Sequence, residues 1–172
     1  MKFRMLLAIT LLAGCSTTSP KQNLTDPQIA MVLRVANLGE VREGELAREK
    51  SGSASVRDFG AMMVTEHTSQ NNKAESELSR ANINSEDTPL SRQIDADSGA
   101  ATDRLRAMSG AAFDRAYIDR QVDVHQYVLG LIDSTLTPKA RKKVLRDQLA
   151  DLRKLVDAHL AHAKQIQASL PH

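Results

Sequence analysis

Several ionisable side chains lie on the apolar faces of the long helices that this sequence predicts. They are Glu40 and Glu43, His67, Asp114 with His125, and His159. A buried ionisable group without a partner is unfavourable, so we expect these side chains to contact one another or water. Neutral imidazoles and carboxylates are also common ligands of zinc, copper and iron. The pattern therefore indicates either a metal site or a buried hydrogen-bonded network that fixes the alignment of the helices.

Residue counting places the first of these groups near the middle of a helical bundle. A helix rises about 1.5 Å per residue, and Glu40 and His67 lie 12 and 15 residues from a predicted turn at Gly52. They should therefore lie within roughly one helical turn of each other, and His125 falls near mid-height on its own helix. We predict a middle layer of Glu40, His67 and His125, in which a divalent metal is the alternative to a structural network.

A second layer is predicted nearer one end of the bundle. If the second hairpin turns near Leu136, Asp114 and His159 lie 22 and 23 residues from that turn and share a level, with Tyr117 or His162 as a further member. His125 would then be about 18 Å from His159 along the axis, so one metal ion could not bind both. A carboxylate that orients an imidazole is half of a catalytic pair, but no serine or cysteine nucleophile can be placed beside it.

The sequence lacks the signature of di-iron bundle enzymes. Those enzymes carry Glu-x-x-His pairs on two helices, so that both ligands face one site. The residues three positions before the helical histidines here are Val64, Val122, Val156 and His159. We therefore expect a protein without enzymatic activity and without a certain cofactor, a divalent metal being the one candidate.

The elements that would position these residues are helices. Apolar residues recur at spacings of three and four along four segments, which are residues 26–50, 55–82, 111–136 and 139–170. The chain has two Tyr, three Phe and no Trp, and a core of Ala, Leu, Val, Ile and Met is typical of helix packing. The sequence therefore predicts an all-α fold, a four-helix bundle that occupies residues 26–170.

Turn residues mark the ends of these helices. Asp26 is the predicted N-cap of the first helix, Ser51-Gly52-Ser53 separates the first two, and Thr137-Pro138 ends the third. Residues 90–108 predict a crossover with a shorter helix, broken at Ser98-Gly99. Loops of three or four residues join each of the two helix pairs, which favours antiparallel hairpins.

The first fifteen residues carry an export signal. A basic start, an apolar run of roughly ten residues and the segment Leu12-Ala13-Gly14-Cys15 resemble the signal and lipobox of bacterial lipoproteins. Cys15, the one cysteine in the chain, would carry the lipid after removal of residues 1–14, and residues 15–25 would form a flexible tether. Ser16 after the cysteine favours the outer membrane, so we expect a lipid anchor facing the periplasm.

Removal of that signal makes the chain neutral. Residues 1–14 contain two of the 23 basic residues and no acid, which leaves 21 basic and 21 acidic residues in the mature chain. A neutral chain without a basic patch gives no support to nucleic-acid binding. The expected partners are the outer-membrane lipid at Cys15 and an envelope protein or small ligand whose identity the sequence leaves open.

Several segments together resemble a known family. They are Glu40-Val41, Glu45-Leu46-Ala47, Phe59, Met63-Val64, Glu66-His67, Gly110, Phe113-Asp114-x-x-Tyr117, His125 and His159-Leu160. They are similar to the ferritin-like bacterial envelope family called domain of unknown function 4142, over about residues 26–168. The resemblance implies an exported helical bundle with no assigned activity. Its recurring His, Asp and Tyr positions correspond to His67, Asp114, Tyr117, His125 and His159.

Two functions follow from the sequence. The first is a non-enzymatic binding or interaction module at the periplasmic face of the outer membrane, which acts in envelope maintenance or stress tolerance. The alternative is a metal-binding protein that uses Glu40, His67 and His125 for zinc, copper or iron.

Burial of the histidines predicts a loss of stability in acid. Histidines buried in the neutral form bind protons more readily once the chain unfolds, so stability should fall as the pH drops below about 6.5. We expect a lower melting temperature at pH 5 than at pH 7.5, measured by circular dichroism. Equal melting temperatures would contradict burial of neutral imidazoles without compensation by other groups.

Overall fold

The computed structural model describes residues 23–171 and contains five α-helices. They are α1 (Asp26–Lys50), α2 (Ala54–Arg80), α3 (Pro89–Arg106), α4 (Gly110–Leu131) and α5 (Lys143–Ser169). No strand occurs in the described part of the chain. The predicted all-α bundle is confirmed. The signal at residues 1–14 and the lipidation of Cys15 lie outside the described residues and stay predictions.

Two helical hairpins form the bundle. Helix α1 packs against α2, and α4 packs against α5, each pair joined by a short connection. The hairpins meet where α2 contacts α5 and α1 contacts α4, and α3 lies against α1 as the crossover helix. None of the helices among residues 23–171 combines the length and the apolar composition needed to cross a membrane.

The start of α1 differs from the sequence prediction. Thr25 is the N-cap, and its backbone N–H donates to Oε1 of Gln28, 3.1 Å away. Asp26 instead accepts hydrogen bonds from the backbone N–H groups of Arg141 (2.8 Å) and Lys142 (2.9 Å), immediately before α5. Leu24, placed in the predicted tether, is 4% exposed and packs in the core. Packing of the domain therefore begins before the first helix.

The crossover helix is continuous, so the predicted break at Ser98-Gly99 is wrong. Ser98 is buried against α1, where a Cβ on Gly39 would lie 2.6 Å from its Oγ. Small residues on both helices allow this close approach, and Thr102 Oγ1 donates to the carbonyl of Ser98 at 2.8 Å. Tertiary packing thus outweighs the weak helix propensity of a Ser-Gly pair.

The second hairpin turns later than the sequence predicts. Helix α4 continues as a π-helical turn (Ile132–Leu136) and a 3-10 turn (Thr137–Lys139), so Thr137-Pro138 does not end it. Ile132 and Leu136 are each 1% exposed, and the N–H of Ala140 donates to the carbonyl of Leu136 at 3.0 Å. Burial of these two apolar side chains carries the helical path past the proline. The connection to α5 therefore lies at residues 140–142.

A polar layer divides the apolar core into two clusters. One cluster is centred on Leu145 and Leu149 and the other on Phe59 and Tyr117. Along α1, α2, α4 and α5, one group of buried polar residues lies where one cluster ends and the other begins. The polar layer consists of Asn37, Glu40, Glu43, His67, Gln121, His125 and His159. Glu40 and the three histidines therefore lie at mid-height, with apolar side chains above and below them.

The contacts of Asp26 predict a large effect on stability. Replacement of Asp26 by Ala removes two charge-assisted hydrogen bonds, and we expect the free energy of unfolding to fall by about 2 kcal/mol in urea denaturation. The matched control is Asp87→Ala, since Asp87 is an exposed acid outside these contacts, and its effect should stay within about 0.5 kcal/mol. Equal effects of the two substitutions would contradict the structural role of Asp26.

Candidate metal centre

Three histidines from three different helices meet in the polar layer. His67 lies on α2, His125 on α4 and His159 on α5, and each is 2% exposed. The ring centroids are 5.1 Å apart for His67 and His159, 5.5 Å for His125 and His159, and 6.1 Å for His67 and His125. One ring nitrogen from each histidine lies within 4.8 Å of the other two.

A pair of asparagines fixes the ring of His67. Its Nδ1 lies 2.8 Å from Oδ1 of Asn37, and Nδ2 of Asn37 donates to Oδ1 of Asn71 at 2.9 Å. Nδ2 of Asn71 donates to the carbonyl of Arg34 at 3.4 Å, which orients both amides so that the oxygen of Asn37 faces the imidazole. Since that oxygen can only accept, Nδ1 of His67 carries the hydrogen and Nε2 holds a lone pair.

The other two imidazoles are fixed in the same way by oxygen acceptors. Nδ1 of His125 donates to the carbonyl of Gln121 at 2.8 Å, and Nε2 of His159 donates to Oε2 of Glu66 at 2.7 Å. The lone pairs therefore lie on Nε2 of His125 and Nδ1 of His159. An amide, a backbone carbonyl and a carboxylate are the kinds of group that orient metal-bound histidines from outside the ligand set.

The three nitrogens that face inward have no hydrogen-bond partner. Nε2 of His67, Nε2 of His125 and Nδ1 of His159 are all buried. Burial lowers the pKa of His125 to about 4 and that of His67 well below its usual range, and it also lowers the pKa of His159. The three imidazoles are therefore neutral near pH 7, which is the form that binds a metal.

Two buried carboxylates lie in the same layer. Glu43 accepts from Arg120 (3.2 Å), Gln121 (3.2 Å) and Ser98 (3.3 Å), whereas Oε2 of Glu40 is buried without a partner. Burial raises the pKa of each to about 7, and the charge of Glu40 adds to the increase for Glu43. The nearby guanidinium of Arg120 opposes both increases.

The histidines are grouped differently from the two predicted layers. The expected separation of about 18 Å between His125 and His159 is wrong, because their ring centroids are 5.5 Å apart. The error arose because the turn was predicted near Leu136, whereas the connection is centred at Arg141. Arg141 is 16 residues from His125 and 18 residues from His159, so the two histidines lie at nearly the same level. Glu40 lines a cavity with His67 and His125, but its oxygens are not part of the converging group.

The other members of the predicted second layer lie apart from His159. Asp114 accepts hydrogen bonds from Oγ of Ser51 and from the backbone N–H of Ser53 (3.2 Å), and so ties the α1–α2 turn to α4. Tyr117 is fully buried and stacks on Phe113 at 6.2 Å. Burial raises the pKa of Tyr117 well above its usual value, with a further contribution from the charges of Glu40 and Glu43. Neither residue pairs with His159.

Sequence reasoning missed the residues that orient the imidazoles. Asn37 follows Leu33 by four positions on the inward face of α1, and that spacing is a usable signal. Glu66 adjoins His67 in the sequence and cannot share a helix face with it, so helix periodicity gives Glu66 no place in the site. It reaches instead across to His159, 93 positions later in the chain. Only the pairing of α2 with α5 reveals that contact.

The raised pKa of Glu40 gives a pH-dependent prediction. Its folded pKa of about 7 exceeds the unfolded value, so stability from this group is lost as the pH rises from about 4.5 to 7. Glu40→Gln removes this pH-dependent loss of stability. The gain in the free energy of unfolding on substitution should therefore be about 2 kcal/mol larger at pH 8 than at pH 5. This trend opposes that of the histidines and partly masks it in the unmodified chain.

The matched control for that measurement is Glu45→Gln, an exposed position on the same helix. Its effect on stability should be the same at both pH values in urea denaturation. A pH-independent effect of Glu40→Gln would contradict burial of an unpartnered carboxyl group at this position.

A crystal structure of similar fold is a DUF305 protein from Streptomyces coelicolor, described as a secreted protein. It superimposes with a TM-score of 0.71 at 10% identity, over 86% of this chain and 94% of that chain. At this identity the likeness concerns the fold alone. Comparison with curated protein sequences gives no match.

A family assignment is provided by the sequence itself. The family described as a domain of unknown function, DUF4142, matches residues 13–166. This range includes the polar layer, both hairpins and the crossover helix. The chain therefore belongs to the DUF4142 family.

Proposed function

We propose that this domain binds a transition-metal ion through His67, His125 and His159. The supporting observation is the arrangement of their ring nitrogens. Each imidazole has one nitrogen that donates to an oxygen and a second that is buried without a partner, and one ring nitrogen from each histidine lies within 4.8 Å of the other two. A cation at the centre would accept all three lone pairs.

The arrangement of hydrogens favours a metal over a purely structural network. A hydrogen bond between two imidazoles needs one N–H donor and one lone pair. Here all three N–H groups donate to oxygens outside the histidine cluster. The three remaining ring nitrogens can only accept, so no imidazole can donate to another. A single water molecule could donate to only two of them. The third would remain buried and unsatisfied, which is unfavourable by about 1–3 kcal/mol.

The ligand set favours particular metals. Imidazole nitrogens suit Zn²⁺, Cu²⁺, Co²⁺ and Ni²⁺, whereas Mg²⁺ and Ca²⁺ prefer oxygen ligands. Zinc–nitrogen bonds of about 2.0–2.1 Å would require the three nitrogens to approach one another, by up to about 1.5 Å. Rotation of the rings about their outer hydrogen bonds can supply a movement of this size. Zinc and copper are therefore the first ions to test.

The proposed role is metal binding outside the cytoplasm without catalysis. The lipid anchor at Cys15 stays a prediction and would place the site at the periplasmic face of the outer membrane. A role in envelope maintenance or stress tolerance, through a partner protein, likewise stays a prediction. Three histidines do not by themselves specify a reaction, and we propose no substrate.

Elemental analysis tests the metal proposal. Untagged protein without the predicted signal peptide, exposed to Zn²⁺ or Cu²⁺ and then desalted, should retain about one ion per chain. His159→Ala should weaken binding by at least about 100-fold, and Glu66→Gln by about 10- to 100-fold because the imidazole loses its orienting carboxylate.

The matched control is His162→Ala, since His162 is an exposed histidine one turn further along α5. It should leave stoichiometry and affinity unchanged. Absence of bound metal in the unmodified protein, or retention of the ion by His159→Ala, would contradict the proposed function.

A further inference from the structure

A cavity of about 290 Å³ leads from the protein surface to two of the three histidines. It lies between α1, α3 and α4, and His67 and His125 form part of its lining. At about 30 Å³ per molecule, it has room for roughly ten waters. A cation can therefore enter this space while it keeps part of its hydration shell.

Acidic side chains line the cavity at two depths. Asp97 on α3 and Asp123 on α4 are exposed, whereas Glu40 on α1 is 6% exposed and its Oε2 is buried without a hydrogen-bond partner. The one basic residue in the lining is Arg120, whose guanidinium is paired with Glu43 at 3.2 Å. The cavity therefore has an excess of negative charge and one free carboxylate oxygen beside the histidines.

The remaining walls offer few competing ligands. Most of them are formed by small or apolar side chains, among them Ala36, Ile94, Val124, Val128 and Leu152. Asn37 is already bonded to His67 and Asn71. Of the carboxylates that line the cavity, Glu40 is therefore the buried one that has an oxygen free to bind a divalent ion.

We infer that this cavity is the route by which the metal ion reaches the histidines, with Glu40 as a transient ligand on the way. The inference rests on the proposed function, because it assigns a path to the same site. It accounts for a buried carboxylate oxygen, Oε2 of Glu40, that has no hydrogen-bond partner and lies outside the converging ligand group. Glu40 acts on the rate of loading, whereas the three histidines hold the ion.

Stopped-flow measurement of Co²⁺ uptake by the metal-free protein tests this route. Glu40→Gln and the cavity-filling Val128→Phe should each lower the uptake rate constant by about tenfold or more. Both should still bind one ion per chain at equilibrium, and that measurement also shows that the variants are folded. Asp97→Asn with Asp123→Asn should slow uptake at low salt, with the difference lost at high salt.

The matched control is Asp157→Asn, an exposed acid on α5 that does not line the cavity, and it should load at the unmodified rate. If Glu40→Gln and Val128→Phe take up Co²⁺ at the rate of the unmodified protein, the cavity is not the entry route. Loss of bound metal in Glu40→Gln at equilibrium would overturn the transient role, because Glu40 would then be a permanent ligand. Absence of Co²⁺, Zn²⁺ and Cu²⁺ binding in the unmodified protein would instead refute the proposed function.

Discussion

The arrangement of this bundle depends on how three neutral imidazoles are accommodated between two apolar clusters. A buried imidazole needs a hydrogen-bond acceptor for its N–H, and that acceptor must lie on the same helix or on a helix packed against it. His67 uses Asn37 on α1, His125 uses the carbonyl of Gln121, and His159 uses Glu66 on α2. Because the contacts of His67 and His159 connect neighbouring helices, a slip of one turn between those helices would leave both imidazoles and their partners unpaired. The polar layer therefore specifies register as well as a candidate site.

Two aspartates fix the register from the ends of the bundle. Asp26, at the start of α1, accepts from the turn that precedes α5, and Asp114, near the start of α4, accepts from the turn between α1 and α2. Each aspartate therefore joins one hairpin to the other, at opposite ends. Since both carboxylates bind groups of a connecting turn, they set the axial position of the hairpins. That position brings His159 level with His67 and His125.

Membership of DUF4142 and the likeness to a DUF305 protein establish the family and the fold, but fold alone does not determine chemistry. The functional argument depends on the site. It depends on three observations about particular atoms. The imidazole lone pairs face no hydrogen-bond donor, an oxygen orients each ring, and a buried carboxylate lies outside the three histidines. Their combination favours an ion held by nitrogen over a dinuclear carboxylate centre, in agreement with the lack of Glu-x-x-His pairs.

The sequence by itself determined the helices, since apolar spacing and the Ser51-Gly52-Ser53 turn are local signals. It also placed His67, His125 and His159 on inward faces. Only the tertiary structure decided that these three meet. Burial of Ile132 and Leu136 carries the helical path beyond the end of α4 and past Pro138. When a turn moves by one residue, two side chains that face each other across the hairpin shift by two residues relative to each other. A turn misplaced by five residues therefore became an axial error of about 15 Å, because helix register is set by packing between helices distant in sequence.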